Sequence, residues 1–129
     1  MASENWLGAG DRGWLSIEWL RRNEREIAVD PIILGEIQLG ILLLLGGRRR
    51  RRLEQWFQRG VTRIQCLPWE VASGLRWAAL LVELRRAGKT ISIKDSLIAA
   101  TALIYELTVV TRNTKDFENA NVPVVNPFL

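Results

Sequence analysis

The chain has 129 residues, 48% of them hydrophobic, which suits one folded domain and excludes a disordered low-complexity protein. Its 18 Lys plus Arg against 14 Asp plus Glu leave a formal charge of +4, a balance that favours phosphate-bearing or acidic partners. It has no histidine and one cysteine, Cys66, which excludes imidazole-based catalysis and an intramolecular disulfide; hydrolysis would fall to carboxylates, whose hard oxygens suit Mg²⁺ or Mn²⁺, in a reducing cytoplasm.

Residues 1–10 show no charged start followed by an apolar run, so no secretory signal is predicted. Trp14, Leu15, Ile17, Trp19 and Leu20 predict a helix, with Arg21, Arg22 and Arg25 near its end, where cations suit the dipole. Residues 27–29 read as a short strand. Asp30-Pro31 then supplies an N-cap and a first-turn proline for a helix running toward Leu44 and ended by Gly46-Gly47. That stretch is shorter than the roughly 20 residues of a membrane span and contains Glu36 and Gln38, so a buried helix is expected and no membrane association.

Residues 48–52 are all arginine and open a third helix, in which Leu53, Trp56 and Phe57 share a face and Gly60 is the stop. A strand is expected over 61–67. Pro68 and Trp69 lead into a long helix ending near Ala87-Gly88. Ser92 caps a further helix through Ile104 that is apolar on every side and must be deeply buried. Strands over 107–110 and 122–125 complete the pattern. Alternating strands and helices require crossover connections, hence an α/β fold with a mostly parallel sheet.

Ligands in open α/β sheets gather beyond the carboxyl ends of strands, and Asp95 and Asp116 fall near such an edge. Glu36 lies in an apolar run where a charge is costly without a compensating cation or donor. Each also has a plainer reading. Ser92-Ile-Lys-Asp95 fits a capping box, Asp116 fits an ordinary turn, and Glu36 fits a solvated helix face.

Taken together, Thr90-Ile-Ser-Ile-Lys-Asp-Ser-Leu-Ile-Ala-Ala-Thr-Ala-Leu103, Thr111-Arg-Asn-Thr-Lys-Asp-Phe117 and Val122-Pro-Val-Val-Asn-Pro127 resemble the C-terminal half of PIN-domain ribonucleases of the VapC type. Asp30-Pro-Ile-Ile-Leu-Gly-Glu-Ile-Gln-Leu-Gly40 resembles the family's glutamate-bearing segment, and residues 49–53 its arginine-rich helix. The resemblance runs from about residue 14 and is strongest over 27–129 of what reads as one domain, 1–129.

The resemblance implies a three-layer α/β/α PIN fold and a metal-dependent endoribonuclease toxin of a toxin–antitoxin pair. Its metal site would be Glu36, Asp95 and Asp116 with Mg²⁺ or Mn²⁺, supported by Thr111 and Asn113, with Arg112 toward RNA phosphate. It also implies a VapB-like antitoxin partner and a homodimer.

The departure from the family pattern is at the start. Members of the family open on a hydrophobic strand ending in Asp-Thr-Asn, a position that here would precede Met1, as in a chain begun at an internal codon or a truncated gene. The first strand and its aspartate are therefore expected to be missing. Asp11, between Gly10 and Arg12 with no apolar strand before it, is a poor substitute. Two alternatives follow: a catalytically inactive PIN module that binds a protein partner, and nucleic-acid binding without catalysis through residues 48–52.

Overall fold

A computed structural model of the chain describes residues 6–8, 14–60 and 63–127, with the side chains of residues 14–16 left aside. Five parallel strands, β1 (Trp6–Gly8), β2 (Ala28–Val29), β3 (Gln65–Cys66), β4 (Thr108–Val110) and β5 (Val124–Val125), form one sheet in the order β3-β2-β1-β4-β5. Leu7 pairs with both Ala28 and Val109, Val29 with Cys66, and Val110 with Val125. Successive strand residues point to opposite faces. Because Ala28 and Val29, and Val109 and Val110, are all buried, both faces of the sheet are covered, which is the expected three-layer arrangement.

The central position, expected to lack its strand, is occupied by β1. Three residues suffice there, since the strand is flanked on both sides by partners and its Leu7 is fully buried. Trp-Leu-Gly is too short to show alternation, and its isolation among polar and glycine residues hid it. Gly8 permits the close approach of α1 (Trp14–Arg22): a Cβ there would lie 2.7 Å from Leu20 Cδ2 and 2.8 Å from Ile27 Cδ1. The premise that no strand precedes Asp11 is corrected by the same observation. Asp11 itself lies outside the described residues, and β1 holds no acidic residue.

Helix α2 (Pro31–Leu43) starts as expected, with Asp30 accepting from the Ile33 N–H at 2.9 Å. It stops one residue before Leu44, ahead of the Gly pair, and α3 (Arg48–Gly60) begins after Gly47 at φ +136°. The strand expected over 61–67 is reduced to β3 among the described residues. Helix α4 (Val71–Arg86) is capped by Ala87 and followed by Gly88, whose φ of +68° suits glycine.

The apolar helix α5 (Ile93–Tyr105) is the most deeply buried, with Ile98, Ala99, Ala100 and Ala102 at 2% exposure or less. Its small residues let α4 pack closely, and Trp77 Nε1 on α4 donates to Ser96 Oγ at 2.8 Å. After β4 a 3-10 turn (Thr114–Ala120) anchors itself through buried Phe117 and Ala120. Helix α1 is tied to α3 by Glu18, which meets Arg52 at 3.1 Å, and the turn after α1 by Glu24, which accepts from the Trp56 indole N–H.

Candidate active site

In this strand order the connections run one way from β1 through β2 to β3 and the other way through β4 to β5. The reversal opens a crevice at the carboxyl ends of β1 and β4, where an α/β sheet places its ligands. Thr111 follows β4 directly and is 2% exposed. Its Oγ1 accepts the Asn113 N–H at 3.1 Å, and the Asn113 carbonyl accepts the Asp116 N–H at 3.1 Å. Thr111 and Asn113 thus shape the turn that carries Asp116, while the Arg112 side chain is exposed.

Asp95 enters from the first turn of α5 and is 8% exposed. Ser92 Oγ accepts its N–H at 3.2 Å and donates to its Oδ2 at 2.8 Å. The capping role and the site position are therefore compatible: the hydroxyl holds Oδ2 and leaves Oδ1 to the Lys94 ammonium. Asp95 and Asp116 both line a cleft of about 430 Å³ with Thr90, Ile91, Ser92 and Lys115.

Glu36, on α2, is outside that lining set, but its Oε2 is shielded from solvent and lies 3.5 Å from Lys94 Nζ. The same ammonium lies 3.7 Å from Asp95 Oδ1. One lysine thereby joins the carboxylates of α2 and α5. The three predicted acids meet in pairs, Glu36 with Asp95 through Lys94 and Asp95 with Asp116 across the cleft. Among the described residues no three acidic or cysteine side chains form a ready metal cage. The gap between Glu36 and Asp95 is filled by an ammonium, and Asp116 rides on a solvent-facing turn.

The donor set nonetheless fits a hard cation. It consists of carboxylates alone, and a positive group already stands between two of them, as an acidic site requires to offset its own repulsion.

Two contributors escaped the sequence reading. Lys94 gave no signal beyond its place before Asp95. Asp30 is more than a cap: fully buried, it also accepts from Thr101 Oγ1 at 2.6 Å and from Trp69 Nε1 at 3.4 Å. One carboxylate thus ties the start of α2, which bears Glu36, to α5, which bears Asp95.

The PIN-domain family model matches residues 5–122, a span that includes β1, the crevice and all three acids. The chain belongs to the PIN-domain family. It is 28% identical over 130 residues to "VapC ribonuclease Y4jK" of Sinorhizobium fredii, covering 98% of this chain and 91% of that one. It is 31% identical over 106 residues to "Toxin FitB" of Neisseria gonorrhoeae, covering 80% and 76%. Among solved structures, that of FitAB bound to an IR36 DNA fragment superposes with a TM-score of 0.76 at 27% identity, covering 96% of each chain. The PIN match reaches upstream of residue 14, where the resemblance read from sequence began, and takes in β1. Among the described residues no helix is long and apolar enough to cross a membrane.

Proposed function

We propose that this PIN-domain protein is a VapC-like endoribonuclease toxin, acting as a single domain in the cytoplasm and restrained by a small antitoxin, often in a dimeric assembly. The observation that carries the reading is that Asp95 shares the Lys94 ammonium with Glu36 and lines one cleft with Asp116, in a chain without histidine. Similarity to a ribonuclease and to a toxin supports the reaction class and the pairing with an antitoxin.

In this reading Glu36, Asp95 and Asp116 would hold Mg²⁺ or Mn²⁺, with Thr111 and Asn113 keeping Asp116 in place. An ion held there would supply Lewis-acid chemistry, activating a water and offsetting charge on the scissile phosphate. Ser92 orients the Asp95 carboxylate by holding Oδ2, which leaves Oδ1 free of the cap and available as a ligand. Arg112, exposed beside the turn, is suited to a phosphate of the RNA backbone. The exposed leucines at the end of α2, Leu42, Leu43 and Leu45, provide apolar surface of the kind a protein partner covers.

The test is RNA cleavage by the purified chain in Mn²⁺ or Mg²⁺ and in EDTA, beside Asp95→Asn. The expected result is metal-dependent cleavage reduced at least about 100-fold in the variant, in line with the loss of a metal ligand. A folded chain that cleaves nothing would favour the inactive, partner-binding module. Cleavage indifferent to EDTA would oppose the carboxylate mechanism.

A further inference from the structure

The structure places a lysine ammonium beside two of the site's carboxylates, and we infer that Lys94 is their internal counter-ion, which a divalent metal must displace in order to bind. The inference rests on the metal-nuclease reading and concerns what regulates occupancy of that site. Lys94 Nζ is 3.5 Å from Glu36 Oε2 and 3.7 Å from Asp95 Oδ1. These oxygens come from different helices, so the ammonium holds the position between α2 and α5 that a shared metal ligand sphere would need.

Both distances exceed those of a direct hydrogen bond, so what holds the lysine is charge rather than fixed geometry. Its partners are well shielded, with 18% exposure for the Glu36 side chain and 11% for that of Asp95, while the lysine side chain is 41% exposed. Two shielded carboxylates keep one cation of flexible stem near them, and that cation has open solvent to retreat into. A resident ammonium of this sort stabilises the metal-free protein and opposes metal entry by both occupying space and repelling the ion. From the 3-10 turn, Lys115 and Asp116 are the charged residues that line the cleft with Asp95.

The experiment is isothermal titration of Mn²⁺ into the folded, metal-stripped chain, the Lys94→Met and Lys94→Arg variants, and Lys115→Met. Lys94 lies outside the buried core, and Lys94→Met removes its ammonium while keeping an unbranched apolar stem. It is expected to bind Mn²⁺ about tenfold or more tightly than the parent chain, and its metal-free form to melt at a lower temperature. Lys94→Arg should retain the weaker affinity of the parent. Lys115→Met should fall well short of the Lys94→Met gain, separating a local counter-ion from a general change of charge. Equal or weaker binding by Lys94→Met, with the parent binding normally, would overturn the inference and leave the nuclease reading standing. Failure of every chain to bind Mn²⁺ would overturn both.

Discussion

A carboxyl group removed from water must find donors, and Asp30 finds three: the Ile33 N–H, the Thr101 hydroxyl and the Trp69 indole. Replacing it with alanine removes the α2 cap and the acceptor of the buried Thr101 hydroxyl and the half-buried Trp69 indole, a loss of about 2–4 kcal/mol that urea unfolding would measure. Its capping role was legible because Asp-Pro before an apolar run is a local signature. Its bonds to Trp69 and Thr101 were not, since both partners are far away in sequence and only the fold brings them together. Glu18 is a second example. Burial pushes its carboxyl up, but the hydrogen bond from Arg21 and the charges of Arg21, Arg52 and Arg22 outweigh this and hold it below its usual 4.5. A lowered folded value gives stability that is present above the ordinary value and lost as the pH falls through the folded one. Glu18→Gln should therefore cost about 1–2 kcal/mol near neutral pH, with the difference shrinking in acid below about pH 4.5. A difference that persisted undiminished in acid would refute the ion-pair account.

At the scale of elements, the strand that was hardest to see matters most. β1 is only three residues long, yet it is hydrogen-bonded to β2 on one side and β4 on the other, and Leu7 has no exposure. Leu7→Ala should cost about 2–5 kcal/mol, as for other fully buried leucines, whereas a frayed, dispensable strand would give under about 1 kcal/mol in the same denaturant titration. Helices were legible where caps and periodicity agreed, as at Asp30 for α2 and Ser92 for α5. Strands were harder because each spans two or three residues, too few for alternation to declare itself, and burial on both faces removes the polar positions that would mark a half-exposed strand. The site divided along the same line. Asp95 and Asp116 stood out through their places after a cap and after a strand, whereas the pairing of Glu36 with Asp95 depends on how α2 and α5 cross and on a lysine with no motif of its own.

For the molecule as a whole, the arginine run proves to be partly structural. Arg50 pairs with Glu54 at 2.6 Å and donates to the Leu44 carbonyl at 3.2 Å, while Arg52 reaches Glu18. Some of the positive charge thus secures α3 to its neighbours, while the run as a whole is largely exposed and suits the backbone of a nucleic acid without specifying cleavage. In the proposed mechanism, acids from separate elements, α5 and the turn after β4, act as one catalytic unit. The measurement that bears on it most directly is the metal-dependent RNA cleavage rate of Asp95→Asn, Asp116→Asn and the double variant, each verified as folded. Groups serving one site are strongly non-additive, so the double variant should cleave no more than a few-fold slower than the worse single one. Full retention of activity in Asp116→Asn, or losses that simply multiply in the double variant, would show that the two carboxylates do not share a site.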